Sequence, residues 1–409
     1  MPSAAKALPN SNGHASPTRA RYRSAVMLKR LRLIDFKAFS DATVELQPFT
    51  MIVGPNGSGK TSVLQAIELA TGLVTGSISD MLETRSWEYG ELSHQRSAGK
   101  QFGFELQLVD GDVVYEWNLR LGARRSPGVA LESVTADGEE LMRRKSRTMS
   151  RVETATSEVE SVVQTLTQSW LSAVTAEDQT RYPELLCVAN WARSVERYVA
   201  LQPERLRDQS RRTSHGIGRY GENLAGFLGY LKTKQPAALE AVLERVKRVY
   251  PRLIDVHIKS PRAGWCRIEV TEKWGDKVLN FNARQVSDGL LRLLAVASIQ
   301  ATATPPSLVM FDEIENGLHP HLLGSLVTLL RDVAAAGIQV ITTTHSPIAL
   351  NHAAPDEVVV VTRDAVTSVA NLVAFDETLG YLKLGSVLEP GELWYNLGEA
   401  KLLGSAAKS

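Results

Sequence analysis

Apolar and polar positions alternate along "MLKRLRLIDF" (27–36) and "ATVELQPFTMIVG" (42–54), a period of two that predicts strands running into a glycine-bearing loop. After the loop the spacing changes. Val63, Ile67 and Ala70 recur at helical intervals in "TSVLQAIELATG", with Gly72 as the expected stop. "QFGFELQLVDGDVVYEWNLRL" and "VALESVTADGEEL" each carry an Asp-Gly pair (Asp110-Gly111 and Asp137-Gly138) suited to closing tight hairpins, which predicts an antiparallel β subdomain from Phe102 to Leu141. From Ser150 to Val249 the pattern reads as helical, clearest in "VESVVQTLTQSWLSAV" and "PAALEAVLERVKRVY", with "RDQSRRTSHGIGRYGENL" as a polar loop between them. "RLIDVHIK" and "CRIEVTEKW" return to strand pattern. The last third then alternates helix "SDGLLRLLAVASIQA", strand "SLVMFDE", helix "HLLGSLVTLLRDVAAAG", and strands "IQVITTTHS" and "DEVVVVTR". Nearly all-apolar strands alternating with helices predict a parallel or mixed sheet covered on both faces, an α/β fold.

These shifts divide the chain into five expected parts. They are a disordered tail (1–26), an N-terminal lobe (27–149), a helical insertion (150–250), a C-terminal lobe (251–363) and a C-terminal extension (364–409). The tail reading rests on the Ala, Ser, Pro and Asn of the first 26 residues, which lack an apolar core and so exclude a secretory signal; Met27 is a candidate start codon. Bulk composition adds mainly exclusions. With 46 Lys and Arg against 45 Asp and Glu, a net charge of +1 gives no global pull toward nucleic acid or membrane. Cys187 and Cys266 lack metal-ligand spacing and read as thiols of a reducing cytoplasm. No apolar run approaches the roughly 18 to 20 residues that span a bilayer.

Four stations carry chemistry. "GPNGSGKTS" places Gly54, Pro55, Asn56, Gly57, Ser58, Gly59, Lys60, Thr61 and Ser62 where a strand turns into a helix, and satisfies G-x-x-x-x-G-K-[ST]. Its glycines let backbone N–H groups turn inward around phosphate oxygens, and the following helix N-terminus adds positive potential. Lys60 would bridge the β- and γ-phosphates, and the Thr61 hydroxyl would hold Mg²⁺. The second station, "SLVMFDEIENGLHP", ends a buried strand in two acids, which is costly without a cation or ligand nearby. Asp312 would hold the metal opposite Thr61, and Glu313 would polarise an attacking water. At the third, "QVITTTHSP", a buried strand ends at His345; an imidazole there would meet a γ-phosphate or the water, and the bland alternative is a histidine satisfied by backbone. The fourth, "RQVSDGLLRLLAVA", sets Ser287, Asp288 and Gly289 at a helix start. Capping alone explains a serine there, and phosphate capture by the free N–H groups is the other reading.

In this order the four stations resemble the ABC-type ATPases, within them the RecF/SMC/OLD-like branch, and most closely the stand-alone AAA-type ATPases often found in antiphage defence operons. The residues that carry the resemblance are "FKAFSDATVELQPFTMIVGPNGSGKTS", "SDGLLRLLAVA", "FDEIENGLHP" and "TTTHSP", across Met27 to Asn351. It implies a Walker A loop at Gly54–Thr61, Walker B and a catalytic acid at Asp312 and Glu313, a degenerate signature motif at "VSDG", a D-loop from Asn316 to His319 and a switch histidine at His345. It implies Mg·ATP as ligand, and a head-to-tail homodimer or higher oligomer in which each Ser287 faces the γ-phosphate held by the other chain's Lys60. Three departures from the pattern stand. "VSDGL" replaces the transporter-type "LSGGQ", the Q-loop glutamine is undecided between Gln95 and Gln101, and residues 150–250 are too short for the coiled coil of SMC proteins. The chain also ends too soon after His345 for the Toprim nuclease of OLD proteins, so any cleavage of nucleic acid is expected from another polypeptide.

Weaker signals complete the reading. "LMRRKSRTMSR" (141–151) and Arg205, Arg207, Arg211 and Arg212 are either contacts for a nucleic-acid backbone or ordinary solvated loops. "GELWYNLGEAKLLG" places Trp394, Tyr395 and Leu397 in a polar tail, to dock on the body or on a partner. The expected function is an ATP-hydrolysing dimeric switch for a separately encoded effector, a nuclease or toxin, in antiphage defence. The alternatives are a RecF-like DNA-repair clamp and a nucleotide-gated scaffold with slow hydrolysis.

Overall fold

The computed structural model describes residues 26–96, 99, 101–122, 128–145, 148–152, 159–163, 167–198, 201–261, 263–364 and 366–402. The expected tail of residues 1–26 lies outside them, save its last residue. At the centre is a six-stranded sheet in the order Val195–Tyr198, Leu308–Phe311, Gln339–Thr344, Phe49–Val53, Val358–Arg363, Ala370–Ala374. The first five strands run parallel and the last antiparallel. Its central strands are buried throughout, and alternation divides them between two cores. Met51, Val309, Val340 and Val360 face one core, while Ile52, Met310, Ile341 and Val359 face the other. That two-sided burial is why these strands read as unbroken apolar runs. The helix Lys60–Thr75 and the helix Pro183–Arg193 cover one face; Leu224–Lys234, Pro236–Val249, Asp288–Ser298 and Pro320–Ala335 cover the other.

Beside this layer stands an eight-stranded antiparallel sheet in the order 39–45, 27–36, 101–110, 113–122, 129–136, 139–145, 148–152, 159–163. Asp137 and Gly138 both take positive φ, 49° and 85°, as a two-residue hairpin turn requires. Gln339 stitches the sheets together: its side chain exchanges hydrogen bonds with the Leu28 backbone (2.9 and 2.8 Å) from the end of a central strand. A smaller sheet holds Ser210–Arg211, Leu253–Lys259, Trp265–Trp274 and Lys277–Asn282.

Two expectations need correction. The region read as helical from 150 to 250 begins with strands Thr148–Val152 and Val159–Val163, contains the core-sheet edge strand Val195–Tyr198, and turns helical only in part. "VESVV" is rich in β-branched residues, which favour a pleated strand over the helix suggested by its apolar spacing. Gly72 does not end its helix, which runs to Thr75 with Gly76 as cap. Its missing side chain makes room for Met81, whose Cε would lie 2.4 Å from any added Cβ.

Candidate functional site

The Phe49–Val53 strand delivers the loop 54–59 to the carboxyl edge of the central sheet. A Cβ on Gly54 would lie 2.4 Å from the Val361 carbonyl oxygen, so only glycine lets the two backbones approach here. Gly57 and Gly59 take φ of 78° and 117°, which aims the loop into the helix start. Lys60 is 5% exposed and donates from Nζ to the carbonyls of Gly54 (2.7 Å) and Pro55 (3.0 Å). Burial pulls its pKa below the usual lysine value, opposed by the charges of Glu313, Glu315 and Asp312. Ser58 Oγ is buried there without a hydrogen-bond partner among the described residues.

The loop and the acids meet. Thr61 Oγ1 lies 3.1 Å from Asp312 Oδ1, joining residues 251 apart. Thr343 Oγ1 donates to the same oxygen at 2.7 Å, and Arg197 Nη2 donates to Oδ2 at 2.8 Å. Glu313 has φ of 49°, left-handed backbone that is strained for a non-glycine residue. Its N–H donates to Thr343 Oγ1 at 2.8 Å, and its carboxylate accepts from Asn316 Nδ2 at 2.5 Å. A cavity of about 460 Å³ opens over Lys60, Thr61 and Glu313, with Lys37, Gln95, Arg96 and Arg363 on its walls. Gln95 therefore reaches the cavity, while Gln101 begins a strand of the antiparallel sheet.

His345 does not line this cavity; a third acid holds it at the same sheet edge. Glu315 Oε1 accepts from the His345 backbone N–H (2.6 Å) and lies 2.7 Å from Nδ1; the acid is 11% exposed and the imidazole 46%. Ser287, Asp288 and Gly289 are not brought to this cavity within one chain. Ser287 caps its helix by accepting from Leu290 N–H (3.3 Å), Asp288 pairs with Arg207, and Gly289 gives room to Leu322. Ser287 lines a different cavity of about 560 Å³.

Residues 49–351 match the family model described as "AAA domain, putative AbiEii toxin, Type IV TA system", more than half of the chain. The chain belongs to this AAA-domain family. Among curated proteins, an OLD nuclease from Thermus scotoductus is 50% identical over 52 residues, 13% of this chain and 10% of that protein. A DNA replication and repair protein RecF from Gloeobacter violaceus is 30% identical over 110 residues, 26% of this chain and 27% of that protein. The aligned stretches thus span about a quarter or less of these relatives' lengths. Among solved structures, an Smc head bound to the C-winged helix domain of ScpA superposes with a TM-score of 0.52 at 17% identity, covering 85% of this chain and 96% of that one. A Pyrococcus furiosus Smc head with an extended coiled coil gives 0.51 at 15% identity, with the same coverages. The fold is that of the ABC-type ATPase heads, and short stretches of the AAA-domain chain resemble RecF and OLD proteins.

Sequence reasoning missed two residues of this AAA-domain site. Glu315 was legible as a third acid in "FDEIE", yet its grip on His345 depends on how two strand ends lie side by side. Arg197 fell in the stretch read as helix, where nothing pointed to a strand beside the Asp312 strand. Four residues of the basic runs are committed locally: Arg144 is buried, Arg207 pairs with Asp288, Arg211 lies over Trp265 and Arg212 donates to Ser260 Oγ at 2.6 Å. Arg147 lies outside the described residues. The C-terminal helix Pro390–Leu402 docks on the body, with Leu393 and Leu402 buried and Gly391 N–H donating to Asn351 Oδ1 (2.7 Å), while Tyr395 faces solvent. Among the described residues no helix is long and apolar enough to cross a membrane.

Proposed function

We propose that the protein binds and hydrolyses Mg·ATP in the Lys60 cavity, closes as a dimer around it, and serves as a nucleotide-dependent switch for a separately encoded effector, a nuclease or toxin, in antiphage defence. The observation that carries the chemistry is the Thr61–Asp312 contact at 3.1 Å, which sets a hydroxyl and a carboxylate beside the buried Lys60 ammonium. These hard oxygen donors fit Mg²⁺, and the orphaned Ser58 hydroxyl fits a loop that cradles phosphate. When bound, Mg²⁺ would neutralise charge on the β- and γ-phosphate oxygens.

The protein's own groups supply the rest. Lys60 exchanges its two carbonyl acceptors for phosphate oxygens at little cost in reorganisation. Glu313, oriented by Asn316 and by its fixed backbone, takes the proton of the attacking water. His345 keeps one ring nitrogen on Glu315 and leaves Nε2 to polarise the water or the γ-phosphate. Ser287, distant from its own chain's cradle, completes the site of a second chain. The match to AAA-domain and OLD proteins supports the effector reading.

The test is mass measurement of Glu313→Gln with and without Mg·ATP. Binding is retained, turnover falls and the dimer accumulates. Wild-type turnover in this variant would remove Glu313 from the mechanism, and a monomer at saturating ATP would remove the dimer. The RecF matches favour one second reading, an ATPase clamp on duplex DNA. It predicts DNA affinity of the isolated protein that falls steeply with salt.

A further inference from the structure

Along the middle and C-terminal turns of the helix Lys60–Thr75 lies another cavity, of about 480 Å³, where three arginines from separate segments converge on one carboxylate. Glu68, from the middle of that helix, accepts from Arg85, Arg197 and Arg219 together. Arg85 ends the helix Ile78–Arg85, Arg197 stands on the edge strand, and Arg219 belongs to the glycine-bearing loop before the helix Leu224–Lys234.

The local charge does not balance on Glu68 alone. Arg197 also pairs with Asp312, but Arg85 and Arg219 have Glu68 as their ion-pair partner. The remaining acids on the cavity wall are already engaged: Asp80 accepts from Ser77, and Glu196 accepts from the Tyr198 hydroxyl. A fourth cation, Arg193, is spent on the carbonyls of Leu171, Ser172 and Val174. The Nε atoms of Arg85, Arg197 and Arg219 are buried without a hydrogen-bond partner among the described residues, and the Arg197 side chain is only 6% exposed. Buried donors on a charged group cost free energy until an acceptor reaches them. An oxyanion with several acceptor oxygens suits clustered guanidinium forks better than a single carboxylate does.

We propose that this cavity is a second anion site, separate from the Lys60 cradle, which takes a phosphate dianion, and that Glu68 is its resident counter-ion. Free phosphate and a phosphate monoester share the recognised group. The volume exceeds what inorganic phosphate fills, and Met81, Ile217 and Met310 give the wall an apolar part, so a monoester of mononucleotide or sugar-phosphate size fits better. Arg197 also serves Asp312, so Arg219 and Glu68 are the positions at which the site is tested.

Full-length protein saturated with Mg·ADP, which on the proposed function fills the Lys60 cradle, is titrated by calorimetry with inorganic phosphate, glucose 6-phosphate and AMP. At least one probe binds, and Arg219→Gln weakens it about tenfold or more, the scale of a hydrogen bond to a charged group. Glu68→Gln, which removes the competing carboxylate, tightens it. A salt-bridge network with only a structural role predicts no binding and no such opposite signs. Preference for an ester assigns a monoester, and equal affinities assign free phosphate; both uphold the site. The proposal is overturned if no probe gives heat, if Arg219→Gln binds like wild type, or if binding is lost in Lys60→Ala but kept in Arg219→Gln. Should Glu68→Gln not fold, the Arg219→Gln result decides.

Discussion

The Lys60 cavity and the Ser287 cavity are of similar size and differ in what their polar groups still need. Around Lys60, segments from five parts of the chain bring an ammonium, a hydroxyl and carboxylates together, and Ser58 Oγ is left without a partner among the described residues. Around Ser287 the polar groups are mostly committed: the serine caps its helix, Glu272 accepts from the Trp274 indole, Arg252 lies over the Trp274 ring at 4.4 Å, and His319 stacks on His321 at 5.1 Å. In the proposed function the first binds a charged ligand from within one chain. The second offers a helix N-terminus and an aromatic wall, and in the proposed dimer it meets a ligand that another chain already holds.

The largest effect that separates the two is expected at Lys60. Lys60→Ala should weaken ATP binding by about 2–5 kcal/mol, the cost of deleting one partner of a buried charged interaction. Equilibrium binding of a fluorescent ATP analogue to dilute protein measures it. Were the loss to appear only at protein concentrations that form dimers, the Lys60 side would not be self-sufficient and the contrast would fail.

Next in size is Glu315→Gln. Glutamine keeps the length and one acceptor but loses the charge that faces His345 Nδ1 and the backbone N–H. Outer groups that orient a functional histidine typically matter by about 10- to 100-fold. Turnover should fall by that order with ATP affinity nearly unchanged, and steady-state kinetics separate the two. An equal fall in affinity would show Glu315 holding up the cavity as a whole.

What the sequence made legible follows the same divide. Thr61, Asp312 and His345 could be placed together because each ends a strand or begins a helix, and parallel strands present those ends at one edge. The hairpin turn at Asp137-Gly138 and the helices at 288–298 and 320–335 were legible for an equally local reason, turn chemistry and spacing. The earlier hairpin turns on Gly111-Asp112, one residue beyond the expected Asp110-Gly111 pair, because Asp110 still pairs with Val113. The strands 148–152 and 159–163 were not. Their apolar positions fit helix and strand periods alike, and antiparallel pairing with the strand just before each decides between the two. Glu315 and Arg197 were hidden for a related reason, since their partners lie 30 and 115 residues away and no spacing rule reaches that far.

Ser287 sharpens the contrast from its other side. Ser287→Ala should cost about 1 kcal/mol of stability through the lost cap, whereas Ser287→Gly should cost only a few tenths. Thermal melts read that difference. If the hydroxyl also serves the phosphate of a second chain, both variants lose turnover alike while binding of ATP to the dilute monomer is untouched. If turnover follows the melts, with alanine worse than glycine, capping is the whole of its role.

The smallest effect belongs to Lys37, on the wall of the Lys60 cavity. Burial, with the nearby charge of Arg197, pulls its pKa down to about 8 against the opposing pull of Glu91. Its ammonium lies 4.5 Å from the Trp87 ring centroid and donates to Gln65 Oε1 at 2.6 Å. As pH rises through 8 the cavity loses this cation, so ATP affinity should fall by about two- to fivefold, the scale of a half-exposed ion pair. Stability should move in the opposite direction. Between pH 8 and the ordinary lysine range the unfolded chain holds a proton that the folded chain has released, so the Lys37 contribution makes folding more favourable as pH rises. Lys37→Met should flatten both profiles, and an unchanged pH dependence of ATP binding in that variant would assign the titration to another group on the cavity wall.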